Sequence, residues 1–234
     1  MITRKKRHNP VKKTRKVKNH PYTLLGPYVI NIAHRKDRWS DFLKQSKKLG
    51  ITPIRVNAIY DKKDGATGCF KSHIKALKKW SGEDAIWICE DDCEFKVDKV
   101  TLHKTIDAFM KSPAVVLCLG YNSYSQKHYN SLFNRTFNNQ TATCYIVKGE
   151  FVQKLLDIRE NVLSHRIAGT ESPLKSIFKK LKIFKQRNIP EFERNDQCWK
   201  ILQQDYIFLI PKLRCAIQKK SFSDIEKKEV EYGV

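Results

Sequence analysis

Ala85-Ile86-Trp87-Ile88-Cys89 is an apolar run without alternation, and it ends abruptly in Glu90-Asp91-Asp92, with Glu94 just beyond. Such a run reads as a strand covered on both faces, so the chain must build a layer on each side of it. Upstream, Ala66, Phe70, Ile74, Leu77 and Trp80 recur at helical spacing, with His73 on the same stripe. Asp64 or Thr67 can cap that helix and Ser81-Gly82 can stop it. Crowded carboxylates repel unless a cation or a proton offsets them. In open α/β sheets, ligands bind in the crevice beyond the carboxyl ends of the strands. Acidic residues there suit a hard divalent ion such as Mn²⁺ or Mg²⁺. The plainer alternative is an acidic loop that solvates a strand end.

The rest of the chain supplies the layers. Tyr28 to Ile32 reads as a first strand, and a helix with Trp39, Phe42, Leu43 and Leu49 follows, closed by Gly50. Between them, Ala33 to Arg38 is a basic turn placed to meet a phosphate, unless its arginines pair with Asp37 or Asp41. His34 is either a loop residue or a phosphate contact. Pro53 to Ala58 reads as a second strand, Val100 to Met110 as a helix and Val115 to Gly120 as another buried strand. Tyr121 to Asn139 lacks periodicity and reads as a long active-site loop. Thr141 to Val147 is a strand and Gly149 to Ile158 a helix. Strands alternating with helices imply an α/β fold with a mainly parallel sheet.

Length favours one domain over residues 22–234, preceded by a basic flexible arm over residues 1–21. Of the 46 Lys and Arg, nine stand in the first 20 residues, leaving 37 against 24 acids, still +13. That surface favours anionic partners. A nucleic-acid-binding reading follows from the charge, but no aromatic residues interleave the arm and no recognition signature appears. About residues 164–190, Leu174, Ile177, Phe178, Leu181 and Phe184 keep helical spacing among lysines. Such a basic amphipathic helix either packs on the domain or makes peripheral contact with an anionic membrane. No apolar run approaches the ~20 residues of a membrane span, and no secretory signal is present. The expected location is cytoplasmic, soluble or at the membrane periphery, so the sequons at Asn134 and Asn139 are expected to stay unused.

Seven cysteines without a signal peptide argue for reduced thiols. Cys89 and Cys93 with His103 lack a second ligand pair at zinc spacing, so the thiols read as small buried hydrophobes.

Gly68-Cys69-Phe70-Lys71-Ser72-His73, then an apolar strand ending in Glu90-Asp91-Asp92, resembles glycosyltransferase family 25, which includes lipooligosaccharide and collagen galactosyltransferases. Further blocks in the same order are the strand leading to Asn31, Arg35 and Arg38, the Thr141–Val147 strand with Leu155-Leu156, Asn195-Asp196 with Trp199, and Gln218 to Ile225. The resemblance implies a GT-A fold, a Rossmann-like sheet flanked by helices. It also implies an inverting transfer of a hexose from a UDP-sugar, galactose first and glucose second, to a glycan or hydroxylated acceptor. Asn31, Arg35, Arg38, Ser72, Glu90, Asp91, Ser223 and Asp224 would bind the nucleotide sugar. Asp92 and Glu90 would hold Mn²⁺ or Mg²⁺, although the Glu-x-Asp order departs from the commoner Asp-x-Asp. Asp196 would be the catalytic base, its alternative being a helix cap. Glu94, Glu191, Glu193 and Asp205 are the other candidate bases, and His73 is expected to be structural. An inactive glycosyltransferase-like scaffold is a further reading, opposed by the intact acidic motif.

Overall fold

The computed structural model describes residues 21–180, 193–223 and 228–230. Its first half alternates β1 (Leu24–Asn31), α1 (Lys36–Leu49), β2 (Ile54–Asn57), α2 (Gly65–Leu77) and β3 (Ala85–Glu90). Next come β4 (Cys93–Phe95), α3 (Lys99–Met110), β5 (Val116–Cys118), β6 (Gln126–His128), β7 (Phe133–Thr136) and β8 (Cys144–Lys148). Helices α4 (Gly149–Ala168), α5 (Leu174–Lys180) and α6 (Asn195–Cys198) follow, then a 3-10 turn at Trp199–Ile201 and α7 (Leu202–Asp205). The last strands are β9 (Phe208–Pro211), β10 (Ala216–Gln218), β11 (Ser221–Ser223) and β12 (Lys228–Val230).

Eight strands form one sheet in the order β2-β1-β3-β8-β5-β9-β7-β6. Only β8 and β7 oppose the common direction, so the sheet is mixed but mostly parallel, as its α/β alternation leads one to expect. The apolar run becomes β3, between β1 and β8. Strand alternation splits its side chains between two cores. Ile86 and Ile88 join Tyr28, Ile30, Tyr145, Val147 and Trp199 on one face. Ala85, Trp87 and Cys89 join Phe42, Leu102, Phe109, Cys144 and Ile146 on the other. Burying each large apolar side chain stabilises by about 1.5–3 kcal/mol, so this strand is the most firmly fixed platform from which to hang a site.

Asp64 is the cap of α2, accepting from Ala66 N at 3.1 Å and from Thr67 Oγ1 at 2.6 Å. The helix stops at Leu77, short of Trp80, whose indole N–H donates to Glu83 O at 2.7 Å. Gly68 lets α2 press on the chain before it: a Cβ there would stand 2.6 Å from Ile59 O. Gly68→Ala is therefore expected to cost about 1–3 kcal/mol by overpacking. It should appear as a lower urea midpoint at unchanged m-value. An unchanged midpoint would show that the contact gives way freely.

The structure departs from the sequence reading at three places. Residues 121–139 are not a plain loop, because β6 and β7 pair as an antiparallel hairpin at the sheet edge. Its turn is held by the Asn130 side chain, which accepts from Leu132 N and Phe133 N, both at 2.9 Å. Helix α4 runs ten residues past Ile158 to Ala168, where Gly169 closes it in the left-handed region at φ 67°. The supposed insertion at 164 thus begins inside α4. Within the described part of that insertion, Leu174 packs against the cluster of Phe70, Val162 and Cys198, while Ile177 is exposed. The basic arm (residues 1–20) and Leu181 and Phe184 lie outside the described residues. Among the described residues, no helix is long and apolar enough to cross a membrane.

Candidate active site

Beyond Cys89 the apolar layers stop, and the three consecutive acids meet three different surroundings. Glu90, at the end of β3, keeps 23% of its side chain exposed. Its Oε1 lies 3.0 Å from His73 Nε2 and its Oε2 accepts from Thr143 Oγ1 at 3.2 Å. The other ring nitrogen of His73 lies 3.0 Å from the Tyr145 hydroxyl, which accepts from Arg159 at 2.7 Å. Arginine only donates, so the Tyr145 O–H is left to donate to His73 Nδ1, and His73 Nε2–H then donates to Glu90. The tautomer is assigned from this network. Burial, with Arg159 nearby, holds the His73 pKa well below its usual value, so the ring is neutral. His73 is thus structural in a specific sense: it aims a carboxylate.

Asp91 points the other way. It is buried, accepting from Asn31 Nδ2 at 2.6 Å and from Arg38 at 3.0 Å. Asn31 is itself locked, donating to Arg35 O and accepting from Arg55 Nε at 2.8 Å. Asp91 therefore ties the acidic turn to β1 and α1. Asp92 is held differently again. Arg38 and Gln218 each donate to its Oδ2 at 3.3 Å, while its Oδ1 is buried with no hydrogen-bond partner among the described residues.

Burial raises the Glu90 carboxyl pKa to about 7, with Asp91 adding to the effect and Thr143 opposing it. Burial likewise raises Asp92 to about 7, with the Glu90 charge adding and Arg38 opposing. Asp196 stands in the first turn of α6, within the field of Glu90. Burial raises it to about 6, with Lys200 opposing and Glu90 adding. Its side chain accepts from Gln197 Nε2 at 3.3 Å. Arg194 occupies the cap position of α6, so Asp196 is not the N-cap residue.

Of the expected nucleotide ligands, Asn31, Arg38 and Asp91 thus join Asp92 in one hydrogen-bonded group, while Glu90 is held apart from it by His73 and Thr143 and acts on Asp92 through its charge. Arg35 is turned aside to Asp37 in a 2.9 Å ion pair, the alternative pairing noted for it. The Ser72 hydroxyl donates to Gly68 O at 2.7 Å and accepts from Ile59 N at 2.8 Å, so it braces the start of α2. Ser223 lies in β11, and Asp224 lies outside the described residues, as does Glu191. Sequence reasoning missed Thr143, Gln218 and above all Arg159, which is fully buried between Tyr145 and Trp199. Its signal was a cation in phase with Val152, Leu155, Leu156 and Val162 on the apolar stripe of α4.

A hard cation fits this donor set. Asp92 Oδ1 is a buried carboxyl oxygen lacking a partner among the described residues, and Glu90 retains lone pairs beyond its two hydrogen bonds. Two carboxylates suit Mg²⁺ or Mn²⁺, which keep several waters and take phosphate oxygens as further ligands.

No protein-family model matches this chain, and no curated protein matches it in sequence. The family 25 resemblance therefore rests on its sequence blocks alone. Among solved structures, A197 from STIV aligns at TM-score 0.42 and 12% identity, over 86% of this chain and 95% of that one. A mannose-1-phosphate geranyltransferase from Thermus thermophilus aligns at TM-score 0.38 and 9% identity, over 82% of this chain and 58% of that one. A glycosyltransferase involved in glycosylation of the major capsid of PBCV-1 aligns at TM-score 0.39 and 10% identity, over 82% and 93%. These are likenesses of outline at low identity.

Proposed function

We propose that this chain is an inverting glycosyltransferase of the GT-A type, moving a hexose from a UDP-sugar to a hydroxyl of a glycan or other hydroxylated acceptor. The observation that carries the reading is the acidic turn at the end of β3. There Asp92 presents a desolvated, unpartnered oxygen beside Arg38, and Asp196 stands in the same field with a base-like pKa. Galactose as the sugar, with glucose next, follows from the sequence resemblance.

Asp92 and Glu90 would hold Mn²⁺ or Mg²⁺, which when bound offsets charge on the departing diphosphate. Arg38 and Asn31 fix the turn through Asp91, so the two ligands stay aimed without rearrangement. Asp196 takes the proton of the acceptor hydroxyl as its oxygen attacks the anomeric carbon, on the face opposite the leaving nucleotide. An ionised carboxylate with a raised pKa is a better base than an ordinary aspartate and is still ionised at pH 7.

The test is thermal stabilisation and donor hydrolysis with UDP-galactose, UDP-glucose and a GDP-sugar, each with and without Mn²⁺. The expected result is a Mn²⁺-dependent rise in melting temperature with a UDP-sugar and not with the GDP-sugar. No stabilisation by any of these donors overturns the reading.

A further inference from the structure

The face of β3 away from the acidic site carries a second constellation. Cys89 on β3 and Cys144 on β8 are directly opposed in the antiparallel register, with their sulfurs 3.3 Å apart. Cys93 reaches the same point from β4, and the three Sγ atoms all lie within 4.8 Å of one another. Exposures of 0, 1 and 0% seal all three from solvent. The Trp87 indole N–H donates to Cys144 Sγ at 3.3 Å, a contact that stabilises negative charge on sulfur. His103, weighed and set aside as their partner in the sequence, is not part of this group, whose third member is Cys144.

We propose that Cys89, Cys93 and Cys144 bind a soft, three-coordinate cation of the Cu(I) class. The donor set is all sulfur, which selects soft ions over the hard cations suited to the acidic turn. Metal–sulfur bonds of about 2.3 Å set sulfurs about 4 Å apart around a trigonal centre, so the Cys89–Cys144 pair at 3.3 Å has to part slightly while Cys93 already lies within 4.8 Å of both. Structural zinc takes four protein ligands, whereas this sealed group offers three and leaves no opening for water as a fourth. Three separate strands hold the donors, so little ordering remains for the ion to impose. Cysteine binds metal as thiolate, so loading releases the thiol protons to solvent, and three thiolates around one monovalent cation leave two net negative charges, faced by the Trp87 N–H. The cover is thin: β4 is three residues long and among the described residues pairs with β10 alone, so local opening there gives the ion a way in.

The test is anaerobic titration of the reduced full chain with Cu(I) against a competing Cu(I) chelator, followed by ultraviolet charge-transfer absorption and X-ray absorption. One equivalent retained, with three sulfur neighbours, is the expected result. Cys144→Ser and, separately, Cys93→Ala should each lower retention at least tenfold. Cys69→Ser, which removes a thiol that is not buried, should leave it unchanged. Far-ultraviolet dichroism on each variant identifies a misfolded one, and the other then decides. Failure to retain Cu(I), retention that follows Cys69, or selective binding of Zn²⁺ in place of Cu(I) overturns the assignment.

Discussion

Asp92→Asn should lower sugar transfer by about 10³-fold, the scale seen when one preorganised electrostatic contact to a developing charge is removed. The chain should nevertheless stay folded and melt no lower at pH 7.5. Asparagine keeps an oxygen to accept from Arg38 and Gln218 but brings no anionic oxygen to the position of Oδ1. Stability moves oppositely to activity because of the raised carboxyl pKa values. In the unfolded chain these groups titrate near 4, and in the fold Glu90 and Asp92 titrate at about 7. A raised pKa means that their contribution to stability is fully present below pH ~4 and is lost as pH rises through ~7. At pH 7.5 Glu90 and Asp92 of the wild type are therefore largely ionised and repel each other, and the variant lacks one of these two charges. The metal-free wild type should melt higher at pH 5.5 than at 7.5, with the raised Asp196 adding to the effect and the buried neutral His73 opposing it in part. The variant should show a flatter dependence. Transfer within tenfold of wild type, or a lower melting temperature at pH 7.5, removes Asp92 from the role given to it.

Asp196→Asn tests the other side of the cleft. Loss of general-base help costs ~10²–10⁴-fold in rate, and that loss is expected with UDP-sugar affinity in Mn²⁺ unchanged by calorimetry. The pH profile separates base from scaffold. With a pKa of about 6, the wild-type kcat/KM should climb about tenfold per unit below that value and flatten above it. The residual rate of the variant should lack this limb. A variant with near-normal transfer and the same limb sends the search to the other carboxylates. Of those described, Glu94 is tied to Lys96 at 2.7 Å, and Glu193 lies 3.8 Å from Lys175 and 3.9 Å from Arg166.

The parts of the fold that announce themselves in the sequence are those whose burial imposes a period. The unbroken run of β3 and the stripe of α2 could hardly be read otherwise, and Gly50 marks the end of α1 in its left-handed conformation at φ 66°. The β6–β7 hairpin was illegible because all three residues of β6 are exposed at the sheet edge, where nothing forces alternation. The acidic turn was legible as a cluster but not in its division of labour. Asp91 and Asp92 are chemically identical neighbours, and what separates them is Asn31, 60 residues upstream, delivered by the pairing of β1 with β3. Arg35 and Arg38 are equally alike in sequence. The first is claimed by Asp37 two residues on, and only the second reaches across to the acids.

The hydrogen-bonded line from Arg159 through Tyr145 and His73 to Glu90 passes through α4, β8, α2 and β3 in turn. One carboxylate is thereby surveyed from four separate pieces of chain, like a point fixed by several sight-lines. A small slip of α4 on the sheet, far from any bound sugar, cannot leave it where it was. Tolerance to mutation in this molecule should therefore follow connection to Glu90 more closely than distance from it.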